Sequence, residues 1–175
     1  QVQNGRVIYK ADEIGIARSN LWLRCAERVL IRIGEFKATD FDELFDQTKA
    51  LLWHEWLPKD AEFPVSGKSV KSRLHSVPTC QSIVKKAIVE KMGEHYGVKW
   101  FEEDGPLFPI NVSLYKDRVT LTIDTSGTGL HKRGYRDLSA TAPLKETLAA
   151  GLIYITEWGP DRYLIDPMCG SGTIP

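Results

Sequence analysis

The eight residues Asp166-Pro167-Met168-Cys169-Gly170-Ser171-Gly172-Thr173 follow the apolar run Tyr163-Leu164-Ile165, and they constrain this chain more than any other stretch. The run reads as a buried parallel strand ending in a glycine-rich turn. An acidic residue at the strand tip, followed by Gly-x-Gly, is how an open α/β sheet begins a crossover onto a ligand. The glycines allow a sharp turn and a close backbone approach, and the helix that follows favours negative charge at its N-terminus. Asp166 could instead hold a ribose in a dinucleotide fold, but Gly-x-Gly-x-x-Gly is not present. A phosphate-binding loop is excluded, because no Lys precedes Thr173. Cys169 has no His nearby in sequence to activate it, so it reads as a small side chain of the turn rather than a nucleophile.

The totals leave room for one domain, or for one domain and the edge of another, in 175 residues. A hydrophobic share of 42% with 26% charged residues fits a globular protein with a core. Lys+Arg and Asp+Glu are balanced at 23 each, so a nucleic-acid partner requires basic residues segregated onto one face. Cys25, Cys80 and Cys169 lie far apart with no Cys-x-x-Cys, which argues against a zinc site and fits a reducing cytoplasm. No apolar stretch approaches the roughly 18 residues of a membrane helix. The chain opens on Gln1 rather than Met and stops just past the glycine turn, so it is expected to be a piece of a longer protein.

Along the chain, Arg6–Tyr9 reads as a strand, a short helix or turn starts near Asn20, and a strand covers Arg28–Ile33. Thr39 is the expected N-cap of a helix reaching about Trp53, with Asp40, Asp42 and Glu43 in its first turn. Strands are expected at Ala61–Val65 and Ser69–Leu74, joined through Ser66-Gly67-Lys68. Pro78 stands near the start of a helix whose apolar stripe is Cys80, Ile83, Val84, Ala87, Ile88 and Met92, closed by Gly93 or Gly97. The alternation of Ile110, Val112, Leu114 and of Val119, Leu121, Ile123 predicts a β-hairpin. Thr125–Tyr135, rich in glycine, reads as a loop and boundary. A last helix is expected from Thr141 or Ala142, with Pro143 in its first turn and Leu144, Leu148 and Leu152 on one face.

Two stretches concentrate cations. Ser66 to Ser76 carries Lys68, Lys71 and Arg73 with no acid, and Lys85 and Lys86 follow on the next helix. Such a stretch can bind phosphates through side chains and backbone N–H groups, or it can be an edge strand kept soluble by lysines. Lys132, Arg133 and Arg136 surround Tyr135 and could grip a phosphate and stack a base. Arg24, with Lys132, Arg133 and Arg136, could extend the Lys68–Arg73 surface.

The string Asp166 to Thr173 resembles the first cofactor motif of S-adenosylmethionine-dependent methyltransferases that act on exocyclic amino groups of bases. The stretches Lys68–Ser72 and Cys80–Ile88 are similar to the THUMP domain of bacterial ribosomal-RNA large-subunit guanine-N2 methyltransferases. Asn20–Arg24, Glu35–Ala38, Ile123–Gly127, Leu130–Arg136 and Ala142–Ala150 are similar to the same proteins. The resemblance covers nearly the whole chain. It implies an α+β fold: a partial ferredoxin-like region at 1–38, a THUMP RNA-binding domain at 39–125, and at 126–175 a linker and the start of a Rossmann-like methyltransferase domain.

It further implies that S-adenosylmethionine is the cofactor, held by Asp166, Pro167, Cys169, Gly170, Ser171, Gly172 and Thr173. The implied partner is structured RNA, contacted by Lys68, Lys71, Arg73, Lys85, Lys86, Lys132, Arg133 and Arg136. No metal and no membrane are implied, and the compartment is the cytoplasm. Similar sequences are often labelled adenine-N6 DNA methylases through an (Asn/Asp)-Pro-Pro-(Tyr/Phe) motif, but no Pro-Pro dipeptide occurs here and no catalytic residue is named. A DNA adenine-N6 methyltransferase and an RNA-binding adaptor without catalysis stay open as alternatives.

Overall fold

The computed structural model describes residues 2–3, 5–134 and 144–175. The chain forms two compact units, one of residues Leu30–Thr125 and one that unites Gln1–Val29 with Ser126–Pro175.

The first of these is a four-stranded mixed sheet with helices on one face. Strand β3 (Leu30–Lys37), β4 (Val65–Val70), β5 (Ile110–Tyr115) and β6 (Arg118–Asp124) lie in the order β3-β6-β5-β4. The β5–β6 hairpin pairs Ile110 with Ile123 and Tyr115 with Arg118, as the alternation predicts. β4 runs parallel to β5, in register from Val65–Ile110 to Val70–Tyr115, so the connection must cross the sheet, and helix α3 (Val77–Tyr96) makes that crossover.

Alternation then sorts the side chains. Ile110, Val112, Leu114, Val119, Leu121 and Ile123 face the helices α2 (Phe41–Lys49) and α3, where Leu44, Val84, Ile88 and Met92 close over them. Trp53, in the one-turn 3₁₀ helix after α2, is fully buried and donates its indole N–H to the Thr48 carbonyl at 2.8 Å. The other face of the sheet carries Ser66, Lys68, Asn111, Ser113, Thr120 and Arg118 instead.

Three sequence expectations change here. Ser66-Gly67-Lys68 is no turn: one strand runs Val65–Val70 through it, and no strand forms over Ala61–Pro64 or Lys71–Leu74. Gly67 is there because the neighbouring strand leaves no room, since a Cβ would stand 2.7 Å from Val112 Cγ1 and 3.1 Å from the Val112 carbonyl oxygen. Asp40, not Thr39, caps α2, accepting the Glu43 N–H at 2.8 Å. Glu43 in turn accepts from the Thr39 N–H at 2.7 Å, so the reciprocal cap sits one residue later and α2 ends at Lys49. The strand expected from Arg28 begins at Leu30 and extends to Lys37, with a bulge between Arg32 and Gly34. The helix at Pro78 and its closure match: Pro78 is in the first turn, and Gly97 ends α3 at a left-handed φ of 67°.

The second unit holds a two-stranded hairpin, β1 (Val2–Gln3) with β2 (Arg6–Val7), and the helices α1 (Glu13–Trp22) and α4 (Glu146–Ile155). Asp12 caps α1, which starts well before Asn20. The expected start of α4 at Thr141 or Ala142, with Pro143, lies outside the described residues, while Leu144 and Lys145 precede a helix that starts at Glu146. Its buried side is Thr147 and Ala149, whereas Leu148 and Leu152 are exposed. Tyr163–Ile165 does not form a strand: Tyr163 is 98% and Ile165 83% exposed, and no strand pairs with them among the described residues.

Candidate functional site

The glycine turn has the backbone its sequence calls for. Gly170 (φ 55°) and Gly172 (φ 72°) both occupy the left-handed region, where most residues other than Gly and Asn are disfavoured. The Asp166 carboxylate accepts the Met168 N–H at 3.0 Å, and the Gly172 N–H closes a turn on the Cys169 carbonyl at 2.9 Å. A Cβ at Gly172 would meet nothing within 4 Å, so the glycine serves conformation and leaves open space beside the backbone. Thr173 is buried, Asp166 and Ser171 are partly buried, and Pro167 and Cys169 are exposed. This turn fits a cofactor that packs against bare backbone. Among the described residues, the apolar segment in front of it has no strand partner.

The cations expected to bind RNA do not form one set. Lys68, Lys71 and Arg73 are exposed and make no ion pair with a described residue. Lys85 belongs elsewhere: its ammonium lies 3.1 Å from the Phe63 carbonyl, 2.6 Å from Glu103 and 3.6 Å from the Phe63 ring centroid. It holds the 63–103 connection together, with its charge paired to Glu103. Lys86 stands on α3 with Glu90 at 3.9 Å and the Phe45 ring at 5.7 Å. The helices pack on the face of the sheet away from Lys68, so sequence proximity to β4 misleads.

Pairing brings in other residues in their place. Lys37 pairs with Arg118, Arg118 with Tyr115, and Tyr115 with Val70, so these four lie in one row across the sheet. The turn after β4 is tied to the β5–β6 turn by the Arg73 N–H to Asp117 carboxylate bond at 2.7 Å and the Asp117 N–H to Ser72 Oγ bond at 3.1 Å. The Ala38 N–H joins β3 to the same turn through the Asp117 carbonyl at 3.0 Å. Lys37, Lys68, Lys71, Arg73, Lys116 and Arg118 therefore share one end of the sheet. Lys37, Lys116 and Arg118 escaped sequence reasoning because only strand register brings them there.

The Lys132–Arg136 group divides differently. Arg133 is a clasp: its Nε donates to the Leu130 carbonyl at 2.8 Å, Nη1 to Asn20 at 2.8 Å and Leu21 at 3.3 Å, and Nη2 to Leu23 at 2.6 Å. It spends its guanidinium on the C-terminal carbonyls of α1, which has no basic residue in its own last turn. Lys132 is exposed, and Tyr135 and Arg136 lie outside the described residues. Beside the clasp, Glu27 meets His131 at 2.8 Å, Lys145 at 3.2 Å and the Thr147 hydroxyl at 3.4 Å. Desolvation pushes the Glu27 pKa up, but the Lys145 hydrogen bond and the nearby His131 outweigh it and hold the carboxyl below its ordinary value.

Among the described residues, no group of three potential metal ligands occurs, and no helix is long and apolar enough to cross a membrane.

Three family descriptions match the chain in sequence order: the RlmL ferredoxin-like domain over residues 1–30, the THUMP domain over 38–124, and the RMKL-like methyltransferase domain over 133–175. YpsC of Bacillus subtilis (strain 168), provisionally named an RNA methyltransferase, is 54% identical over 176 residues, covering 99% of this chain and 46% of that protein. A solved structure from Listeria monocytogenes, described as a predicted N6-adenine-specific DNA methylase, is 62% identical with a TM-score of 0.90, over 94% of this chain and 44% of the other. A methyltransferase solved in complex with SAH is 48% identical with a TM-score of 0.85, over 91% and 42%. The chain thus spans less than half the length of these relatives. Ferredoxin-like, THUMP and methyltransferase sequence follow one another without a gap in type, and the chain belongs to the THUMP-domain methyltransferase family.

Proposed function

We propose that the full-length protein transfers a methyl group from S-adenosylmethionine to a base amino group, guanine N2 of large-subunit ribosomal RNA, in the cytoplasm. The observation that carries this reading is the succession of a THUMP domain and an RMKL-like methyltransferase domain in one chain, the latter holding the Gly170/Gly172 turn. The cofactor supplies an electrophilic methyl group. What these residues contribute is a backbone turn without side chains, framed by Asp166, Pro167, Cys169, Ser171 and Thr173, against which its methionine end would pack. An exocyclic amine is a weak nucleophile, so the base must be held in line by the rest of the protein. We assign RNA holding to Lys68, Lys71 and Arg73, with Lys132 and Arg136 as further contacts, and withdraw Lys85 and Arg133 on their internal bonds. Lys86, on a helix that packs against the opposite face of the sheet, is left out as well.

The 175 residues alone are proposed to be inactive and to bind the cofactor weakly, because Tyr163–Ile165 is exposed rather than set in a sheet. Calorimetric titration of the isolated chain with S-adenosylmethionine checks this, and tight binding or turnover would end it. The second reading, DNA adenine-N6 methylation, is favoured by the description of the Listeria neighbour. Full-length protein, labelled cofactor, unmodified ribosomal RNA and duplex DNA separate the two. Label in guanine N2 of the RNA is expected, and label entering only the DNA would refute the RNA assignment.

A further inference from the structure

The end of the sheet that gathers six cations also carries an exposed aromatic ring. Tyr115 is 53% exposed and Val70 beside it 48%. By alternation both point to the face without helices, since Ile110, Val112 and Leu114 take the core side. Lys116 holds its ammonium 5.4 Å from the Tyr115 ring centroid, and Lys68 stands one row away, opposite Ser113. Two carboxylates share the corner. Asp117 is engaged by the Arg73 N–H, and Glu35 by Arg118 at 2.7 Å and Arg32 at 3.1 Å. Glu35 offsets Arg118, and Asp117, whose N–H donor is neutral, keeps one negative charge against Lys37, Lys68, Lys71, Arg73 and Lys116, none of which has a described ionic partner.

The backbone places two of these lysines at unusual positions. Lys71 (φ 52°), Lys116 (φ 51°) and Asp117 (φ 61°) all sit in the left-handed region, and the first two are lysines where Gly or Asn fits without penalty. The two-residue β5–β6 turn itself requires that conformation at Lys116 and Asp117, and Glu103 and Glu157 share it elsewhere, so what is particular here is that lysine occupies turn positions that Gly or Asn would fill more easily. Here both strained lysines project from the turns that border the ring.

We propose that this corner binds an unpaired stretch of RNA, with one base stacked on Tyr115 and the adjoining phosphates held by Lys68, Lys71, Lys116 and Arg73. The four strands span about 14 Å from Val70 to Lys37 at the ordinary spacing, room for a few nucleotides of single strand. A flat sheet surface with one ring and flexible cations suits splayed bases better than a duplex, whose bases are stacked on each other. The proposal rests on the RNA reading above and adds where and in what form the RNA is held.

The test uses the full-length protein and a fluorescein-labelled mixed-sequence oligoribonucleotide, offered as a single strand and closed into a hairpin duplex. The single strand is expected to bind more tightly. Tyr115→Ala should weaken it about tenfold with the salt slope unchanged, and Tyr115→Phe should retain binding. Lys71→Asn and Lys116→Asn should each flatten the log–log salt dependence by about 0.7 while keeping or raising the melting temperature, because Asn tolerates the left-handed backbone. A merely structural role predicts the reverse pattern. Equal binding of duplex and single strand overturns the proposal. So does unchanged affinity in folded Tyr115→Ala, or an unchanged salt slope in both lysine variants. If wild type methylates RNA while those variants bind it normally, this subsite alone fails; if wild type methylates only DNA, the RNA reading itself fails.

Discussion

Replacing Arg133 by Ala separates a structural clasp from a phosphate contact, because the two roles move different observables. The guanidinium donates to the carbonyls of Asn20, Leu21 and Leu23 at the C-terminal end of α1 and to that of Leu130. Hydrogen bonds from a charged donor are worth about 1.5–3 kcal/mol each when the acceptor is left dry. Leu21 and Leu23 are exposed, so water replaces much of the loss and the four bonds cannot be summed. A fair total is about 2–3 kcal/mol, including a few tenths from the cation at the negative end of the helix dipole. Since every 1.4 kcal/mol is tenfold, exchange of the α1 amides that open locally should speed about 30- to 150-fold. Arg133→Lys keeps the charge but cannot reach three carbonyls at once, and should recover only the dipole part. Hydrogen exchange over residues 13–23 of the full-length protein, with RNA affinity in parallel, is the assay. Unchanged protection together with weakened RNA binding would refute the clasp and return Arg133 to the nucleic-acid surface.

Gly67→Ala should destabilise the Leu30–Thr125 unit by about 1–3 kcal/mol, because its Cβ would stand 2.7 Å from Val112 Cγ1 against a neighbouring strand. A neutral melting temperature would mean that the strand reading of Ser66-Gly67-Lys68 is wrong. Lys85→Ala should cost about 1–3 kcal/mol by leaving the Phe63 carbonyl unanswered and Glu103 with only the Phe63 N–H at 3.4 Å, without altering the salt slope of RNA binding; a flatter slope with intact stability contradicts this. The lowered pKa of Glu27 means that its ionised form is favoured in the folded state, so its contribution is present above the ordinary value of 4.5 and fades as pH falls through the depressed one. Glu27→Gln should remove that part of the acid destabilisation below pH 4.5 and cost less than about 1 kcal/mol at neutrality, Glu27 being well exposed. An identical acid limb of the melting curve in both proteins would dismiss it.

The elements that were legible in sequence are those whose pattern is local. The β5–β6 hairpin shows alternation on both arms, and α3 combines a Pro start, an apolar stripe and a left-handed glycine end. Ser66-Gly67-Lys68 misled because glycine between polar residues signals a turn, while here it answers the close approach of Val112, a neighbour far along the chain. Tyr163–Ile165 misled for the opposite reason. Three apolar residues make a strand only where another strand accepts their backbone groups, and none does so among the described residues.

The union of Gln1–Val29 with Ser126–Pro175 had no signal that periodicity could carry. It depends on single donors meeting backbone or carboxylate oxygens: the Arg28 guanidinium on the Gly127 carbonyl at 2.7 Å, the Val29 N–H on Ser126 Oγ at 2.7 Å, Arg133 on α1, and Lys145 on Glu27. Polar residues outside an amphipathic pattern look like solvated surface until their partners are known. The same ambiguity explains the candidate site. The glycine turn was legible because two left-handed residues demand a residue type, whereas a lysine or arginine names no partner, and only register decides. Hydrogen bonds to local carbonyls, and for Lys85 an ion pair, turn Lys85 and Arg133 inward, while register collects Lys37, Lys116 and Arg118 beside Lys68, Lys71 and Arg73. It follows that in a chain of zero net charge a run of basic letters is weaker evidence for a nucleic-acid surface than cations drawn from several strands to one end of a sheet. The first can be used up by local carbonyls and carboxylates. The second requires that the cations outnumber the acids of the same rows, and here Glu35 is paired with Arg118 and Arg32, leaving Asp117 against Lys37, Lys68, Lys71, Arg73 and Lys116.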